Sequence, residues 1–253
     1  MIDYDALLNT ASTMGLRMLE SGAEAYRVED SLQRLCRAYG ADSCEIFAIP
    51  SLLIVSLCDP EGHSHTRVRR LYRRGTNLWQ VDQLNSLCRA VCQGTPPFPE
   101  VDGSLARLAE AKGYSPLLQL AGFAFVAAFF TLLFKGTAAD ALCSLVAGAV
   151  IFFAKYPMER HRANSFFVNG ACSFLAALTA IAGVRLGVGQ NLDKIIIGAF
   201  MGLVPGVAIT NFMRDVLEGD LFAGITKLTE SLLTATALAL GAGIALSLLG
   251  GAA

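Results

Sequence analysis

Hydrophobic and polar positions divide the chain into two parts that meet near Gly113. Residues 1–114 hold 26 of the 41 charged side chains, set among apolar positions at helical or strand spacing. Residues 115–134 hold none, and long apolar runs continue towards the C-terminus. Since a helix needs about 20 apolar residues to cross roughly 30 Å of hydrocarbon, this pattern predicts a transmembrane helical domain at 113–253. It follows a water-exposed domain at 1–112.

The second part contains five apolar stretches, so we predict about five transmembrane α-helices. Lys and Arg concentrate in the cytoplasmic flanks of such helices. With the N-terminus inside, the inner segments hold 17 of these residues and the outer segments hold three. The opening residues also lack the cationic and apolar stretches of a secretory signal. We therefore expect a multi-pass protein with a cytoplasmic N-terminus. The predicted spans are about 115–134, 137–154, 164–184, 193–213 and 231–250.

The first part has the mixed periodicity of an α+β domain. Apolar residues recur every three or four positions in 5–20 and 21–39, and the pattern changes to that of strands after Gly40. About 110 residues suffice for a small core of their own. The predicted strands are 43–48, 51–58 and 65–72, and two later helices are 81–92 and 102–112.

A break in the fourth predicted span is the first feature that points to function. Pro205 lacks a backbone N–H and Gly206 loosens the chain, so the helix should break or kink here. Freed backbone groups at membrane depth are tolerated where they line a cavity. Broken helices of this kind hold the substrate sites of many transporters.

Polar residues at four-residue spacing follow this break and would share one helical face. A charge at the bilayer centre costs about 2.5 to 3.5 kcal/mol on insertion scales, so Arg214 and Asp215 should face a cavity or each other if they lie in the membrane. The alternative is that 214–220 form an interfacial loop whose charges reach the lipid headgroups. The stripe consists of Thr210, Arg214 and Glu218, with Asn211 and Asp215 beside them.

Small residues in the same span recur at four-residue spacing, at Gly198, Gly202 and Gly206. In lipid such a stripe lets helix backbones approach closely and gain dispersion contacts. The spacing fits packing within this chain, or contact with a second subunit.

The sequence lacks the motifs of several other function classes. It has no G-x-x-x-x-G-K-[ST] loop, no G-x-S-x-G turn and no H-E-x-x-H pair, so we expect no ATP hydrolysis and no catalytic residues. Five arginines lie within 67–74, but 1–114 carry 12 basic and 14 acidic groups, which argues against nucleic acid. Cys58, His63 and His65 match no zinc spacing. We predict neither a metal nor a cofactor.

Two long stretches resemble the characteristic motifs of the threonine/serine exporter family. They read SGAEAYRVEDSLQRLCRAYG at 21–40 and LVPGVAITNFMRDVLEGDLFAGITKL at 203–228. The resemblance extends over essentially the whole chain. Full-length members fuse a second, purely membranous half to the first, so the chain is most similar to the larger subunit of split, two-component members. One such bacterial pair is associated with succinate export.

The resemblance implies a secondary exporter of the bacterial inner membrane, without enzymatic activity. Its substrate would be a small carboxylate metabolite, either a C4 dicarboxylate such as succinate or threonine or serine. The chain would work with a smaller multi-span membrane subunit in the lipid bilayer, and a homo-oligomer is a further option.

We infer roles for individual residues of the two motif stretches. Arg214 would hold a substrate carboxylate, and Asp215 or Asp220 would carry a coupling proton. Arg27 and Glu29 would hold the cytosolic domain together or form a gate. The expected substrate-binding residues are Thr210, Asn211, Arg214, Asp215 and Asp220, after the break at Pro205 and Gly206. The cytosolic motif comprises Gly22, Glu24, Arg27 and Glu29.

Two other hypotheses remain open at this stage. A membrane-anchored metabolite sensor or regulator would place its pocket among Glu24, Arg27 and Glu29. A membrane-bound hydrolase would use carboxylates such as Glu24 and Glu29, but the sequence has no nucleophile or metal constellation to accompany them.

Overall fold

The computed structural model describes residues 3–41, 43–59, 61–72, 75–111, 113–161 and 163–249. They form two compact units, Met1–Lys112 with Val207–Leu228 and Gly113–Gly206 with Thr229–Ala253, called here the first and the second unit. The elements in chain order are α1 (Tyr4–Glu20), α2 (Ala25–Ala38), β1 (Ser43–Ile49), β2 (Leu52–Cys58), β3 (Ser64–Arg70), α3 (Leu78–Gly94), α4 (Phe98–Glu110), α5 (Pro116–Leu133), α6 (Ala138–Arg160), α7 (Ser165–Arg185), α8 (Leu192–Phe200), α9 (Gly206–Leu217) and α10 (Leu221–Leu249).

The first unit contains an antiparallel sheet of order β1-β2-β3, with helices packed against it. β2 buries Leu53, Val55 and Leu57 at alternate positions, as its period of two requires. α1 and α2 approach closely at Gly15, where an added Cβ would lie 2.5 Å from Leu32 Cδ1. The predicted α+β organisation of the N-terminal part is confirmed.

The second predicted helix begins later than its periodicity indicated, at Ala25 instead of residue 21. Ser21 ends α1, and its hydroxyl donates to the Arg17 carbonyl at 2.8 Å. Gly22 follows with φ +90°, a left-handed conformation that favours glycine. Gly22 also lies close to another part of the backbone, because an added Cβ would be 2.7 Å from the Gly75 carbonyl oxygen. The turn places Glu24 at the N-cap of α2.

Four helices in the described part of the chain are long and apolar enough to cross a membrane: α5, α6, α7 and α10, of 18, 23, 21 and 29 residues. On α5, large side chains such as Leu117, Phe129 and Leu133 are exposed, whereas the small Ala124 and Ala127 are buried. Small residues inside and large apolar residues outside are expected of helices that face lipid. The prediction of a membrane protein is confirmed.

The predicted span at 193–213 is not one helix. α8 has nine residues, about 14 Å at 1.5 Å per residue, which is too short for the hydrocarbon core. At its end, the Phe200 carbonyl accepts hydrogen bonds from the N–H groups of Leu203 and Val204, at 2.8 and 3.0 Å. Pro205 then supplies no N–H to continue the ladder. The last predicted span also differs, since α10 begins at Leu221 rather than 231.

Two glycines of the predicted stripe pack within the chain, in the second unit. An added Cβ on Gly198 would overlap Thr131 Oγ1, and one on Gly202 would lie 3.2 Å from Phe123 Cδ1. α5 and α8 therefore approach at backbone distance, as small residues permit. Thr131 also shares a hydrogen bond with Ser144, which joins α5 to α6.

Asp140 fixes the start of α6 in the second unit. It forms a capping box with Thr137 and is fully buried. Its carboxylate also accepts the N–H of Gln190 at 2.6 Å, and the N–H and side-chain amide of Asn191 at 3.0 and 2.8 Å. Asp140 therefore ties the connection before α8 to the beginning of α6.

Candidate functional site

The two motif stretches meet in the first unit through an ion pair. Arg214 Nη1, in the last turn of α9, lies 2.6 Å from Glu24 Oε1 at the start of α2. The other oxygen of Glu24 accepts a hydrogen bond from Arg27 Nε at 2.8 Å. The Glu24 side chain is only 11% exposed, so it needs these cations to offset its desolvation. Its hydrogen bond and negative charge raise the pKa of Arg214.

A second ion pair lies in the same unit and is more deeply buried. Lys227 Nζ, on α10, is 2.6 Å from Asp215 Oδ2, and the Asp215 side chain is fully buried. Oδ1 of Asp215 has no hydrogen-bond partner among the described residues. Burial raises the pKa of Asp215, and the bond from Lys227 only partly opposes this shift. A buried carboxylate with one uncompensated oxygen is poised to accept a proton.

Lys227 is not among the predicted site residues, because the predicted polar stripe lies on one helix only. α9 ends at Leu217, and Gly219 has φ +92°, so the chain turns and the first turns of α10 pack against α9 within the first unit. Glu218 therefore falls outside α9 and does not extend the predicted stripe. A Lys twelve positions after an Asp, across a Gly turn between two apolar helices, is the sequence signal that would have indicated this pair.

Thr210, Asn211 and Asp220 have hydrogen-bond partners within the first unit. The Thr210 hydroxyl donates to the Val207 carbonyl at 2.9 Å, and the Asn211 amide lies 3.5 Å from the Gly22 carbonyl. Asp220 accepts the Ala223 N–H at 3.3 Å and so caps the start of α10.

Glu29 also has a local partner in the first unit. It accepts the Ala48 N–H at 2.7 Å, which joins α2 to β1. Burial raises the pKa of Glu29, the hydrogen bond from Ala48 opposes this rise, and the negative charge of Asp220 adds to it. Glu29 is therefore placed to stabilise the first unit by joining α2 to β1.

A polar cavity of about 260 Å³ lies in the second unit, where α8 has ended. The C-terminal end of α6, the first turns of α7, the connection after α8 and the middle of α10 surround it. Lys155 and Glu159 of α6 form an ion pair at 3.7 Å on its wall, and Lys155 Nζ also lies 5.3 Å from the Phe123 ring centroid. The lining residues are Lys155, Glu159, Ala163, Ser165, Val168, Asn169, Leu203, Pro205 and Thr234.

Of the predicted residues, Pro205 lines this cavity. In the sequence analysis Lys155 is only one of the Lys and Arg residues counted on the cytoplasmic side, because the apolar sequence around it contains no motif. A Lys placed four residues before a Glu near the end of an apolar helix is ordinarily a flanking pair. Its place on a cavity wall depends on tertiary packing that no local spacing records.

The turn between β2 and β3 holds the side chains considered for a metal. Ligand atoms of Asp59, Glu61 and His63 lie within 4.8 Å of one another on an exposed turn. Asp59 Oδ2 is engaged by His63 Nδ1 at 3.1 Å and His65 Nε2 at 3.3 Å. Partial burial raises the pKa of Asp59, but the hydrogen bonds from the two histidines outweigh it and lower the pKa overall. These contacts describe a hydrogen-bonded turn.

Comparison with known proteins identifies the family. The family model described as "Putative threonine/serine exporter" matches residues 9–249, which include both ion pairs and the cavity. The chain belongs to this threonine/serine exporter family. The resemblance inferred from the two motif stretches is thereby confirmed, and transmembrane transport is the property that the family description carries.

Two curated relatives are similar to the chain over nearly their whole length. "Probable succinate transporter subunit YjjP" of Klebsiella aerogenes is 26% identical over 238 residues, 93% of this chain and 91% of the relative. The protein of the same name from Escherichia coli (strain K12) is 24% identical over 239 residues, 93% of this chain and 92% of the relative. No solved structure matches the chain.

Proposed function

We propose that the chain is the larger subunit of a two-component secondary exporter in a bacterial inner membrane. It moves a small carboxylate metabolite out of the cytoplasm, either a C4 dicarboxylate such as succinate or threonine or serine. The observation that carries this proposal is the family match over 9–249 in a chain with four apolar helices. The names of the two relatives, which contain "succinate transporter subunit", support the choice of substrates.

The partner in this proposal is a smaller multi-span membrane subunit. The word "subunit" in the relatives' names supports a complex of this kind. The apolar side chains exposed on α5, α6 and α10 offer surface for helix contacts as well as for lipid. A second copy of this chain would use the same kind of surface.

The excess of Lys and Arg in the segments predicted to be inside supports a cytoplasmic N-terminus.

The two ion pairs of the first unit would act as the moving parts. Arg214 has a carboxylate partner already, in Glu24, so a substrate carboxylate would have to displace that partner. We therefore assign the Glu24–Arg214 pair to a lock that breaks and re-forms during transport. Asp215, buried and with one oxygen unbonded, is the group we assign to the coupling proton.

The sensor hypothesis finds less support in this geometry. Glu24 is held by Arg27 and Arg214, and Glu29 by the Ala48 N–H. The side chains that would have lined a sensor pocket thus bind one another or the backbone. An exporter needs no ligand at this position.

Efflux from whole cells tests the proposed function. Cells that lack the native system would be preloaded with labelled succinate or threonine and would express this chain with or without the smaller subunit. Export of one substrate that requires both proteins supports the proposal and identifies the substrate. Retention of both substrates, with both proteins verified in the membrane, would contradict it.

A further inference from the structure

We propose that the polar cavity of the second unit binds the carboxylate of the transported metabolite, with Lys155 as the cation that holds it. This inference rests on the proposed function, because the ligand class is the one named there. The sequence motifs point instead to Arg214, so the two assignments make different predictions.

The electrostatics of the cavity favour an anion near Lys155. The ammonium group has three donors. Among the described residues its carboxylate neighbour is Glu159, which lies 3.7 Å away with a side chain that is 60% exposed. An exposed pair at i,i+4 spacing is weak and readily exchanged. The Lys155 side chain itself is 24% exposed, so its charge is less hydrated than that of a surface lysine. A ligand carboxylate can therefore replace or share the contact with Glu159.

The beginning of α7 adds to the same preference. Asn164 caps this helix of 21 residues, and Ser165 and Asn169 from its first two turns line the cavity. The N-terminal end of a helix carries partial positive charge and attracts anions. The Ser165 hydroxyl and the Asn169 amide provide hydrogen-bond donors on the cavity wall, and the Thr234 hydroxyl, which donates to the Glu230 carbonyl at 3.0 Å, adds an acceptor.

The size and position of the cavity also suit a small metabolite. The cavity volume of about 260 Å³ lies just below the range of about 300 to 1,000 Å³ of sites that bind drug-sized ligands. Succinate and threonine are smaller than such ligands, with about eight non-hydrogen atoms each, and are of matching size. Leu203 and Pro205 place the interruption after α8 on the cavity wall, where transporters with broken helices commonly bind substrate.

Glu159 gives the cavity a means of selection. The cavity wall carries one cation, Lys155, and one carboxylate, Glu159, which match the carboxylate and the ammonium group of an amino acid. A dicarboxylate binds Lys155 with one end, but Glu159 repels its other end unless a proton is taken up. Glu159→Gln is therefore expected to raise the affinity for succinate relative to threonine.

Direct binding to the purified full-length chain in lipid nanodiscs tests the assignment, with labelled succinate and threonine as probes. Lys155→Gln is expected to weaken binding at least about tenfold, and Lys155→Arg to retain most of it. Lys135→Gln, an exposed lysine of the same unit outside the cavity, is the matched control. Wild-type affinity in Lys155→Gln, with or without a loss of binding in Arg214→Gln, would overturn the proposal.

Efflux measured on the same variants separates this inference from the proposed function. If the wild type with its partner exports a carboxylate and Lys155→Gln exports it equally well, the cavity assignment is wrong and the exporter stands. If no carboxylate is exported but one binds in a Lys155-dependent way, the cavity is a carboxylate site and the exporter proposal fails. Loss of both binding and export in Lys155→Gln, with both retained in Lys155→Arg, supports both.

Discussion

Arg214 Nη1 lies 2.6 Å from Glu24 Oε1, a contact that joins two residues 190 positions apart in the chain. Glu24 belongs to the motif before the membrane helices, and Arg214 to the motif that follows α8. The pair holds α9 against the start of α2 within the first unit. Because the Arg214 side chain is 51% exposed, the contact is accessible to water and can open without exposing a core. That combination is what a reversible lock requires.

A charge exchange between these two residues tests the lock. Glu24→Arg and Arg214→Glu, made singly, place like charges together and should each lower partner-dependent efflux by at least about tenfold. The double variant restores the pair, and adding Arg27→Gln removes the cation that would otherwise face the arginine introduced at position 24. This combined variant should recover much of the efflux. The exposed Asp30–Arg34 pair on α2, whose Nε–Oδ2 distance is 2.9 Å, is the control, and its exchange should change little. If the combined variant stays as inactive as Arg214→Glu, Arg214 has a role other than pairing with Glu24.

The buried pair should matter more for stability than the exposed one. Lys227→Met removes the cation but leaves the fully buried Asp215 carboxylate, so we expect a loss of about 3 to 5 kcal/mol in unfolding free energy. Replacing both residues by Leu removes the charge from the core and should restore much of the stability.

Thermal unfolding of the full-length protein in detergent measures the effect on the buried pair, and efflux separates the two roles of Asp215. The double Leu variant should be folded but inactive if Asp215 carries the coupling proton. An active double variant would remove Asp215 from the coupling mechanism, and an unchanged melting temperature in Lys227→Met would contradict the stabilising role.

The sequence predicts the membrane helices well because their length and apolar content are fixed by the thickness of the bilayer. The bounds of α5 (116–133) and α7 (165–185) lie within one or two residues of the predicted bounds. The prediction of a span at 193–213 is wrong because hydropathy is averaged over a window that includes Pro205. Such an average does not show that α8 ends at Phe200. A proline in the sequence indicates that a helix is interrupted, but it does not show how many residues before the proline the helix ends.

The candidate site shows the same division between local and tertiary information. Charge and spacing single out Glu24, Arg214 and Asp215 individually, since each is a polar group near apolar sequence. Their partners cannot be predicted this way: Arg214 and Asp215 are adjacent in sequence, yet they bind Glu24 and Lys227 respectively. Successive residues on a helix point about 100° apart, so neighbours in a motif meet different elements.

Gly22, in the turn between α1 and α2, should be hard to replace. Ala at a left-handed position costs about 1–2 kcal/mol, and here its Cβ would also lie 2.7 Å from the Gly75 carbonyl oxygen. Crowding of that kind adds about 1–3 kcal/mol. Gly62 is the matched control, since its φ of +87° is nearly the same and no atom lies within 4 Å of an added Cβ. Denaturant unfolding should show Gly22→Ala as the less stable variant, and equal losses at both positions would contradict the close approach to Gly75.

Glu29 should make the stability of the first unit depend on pH. Burial raises its pKa above the ordinary value of 4.5, so between that value and the raised one the folded protein binds more protons than the unfolded chain. Stability that depends on Glu29 is therefore greatest below this window and decreases as the pH rises through it. Glu29→Gln cannot titrate and keeps an oxygen that accepts the Ala48 N–H, so the variant should gain stability relative to the wild type towards neutral pH.

Unfolding of the full-length protein from about pH 4 to about pH 7 measures the difference between the two stability curves. Glu45→Gln, an exposed carboxylate on β1, is the control whose curve should run parallel to that of the wild type. A parallel curve for Glu29→Gln as well would show that the Glu29 carboxylate has the same proton affinity in both states. Such a result would contradict the desolvation that its position between α2 and β1 implies, because a carboxylate removed from water must either be compensated or take up a proton more readily.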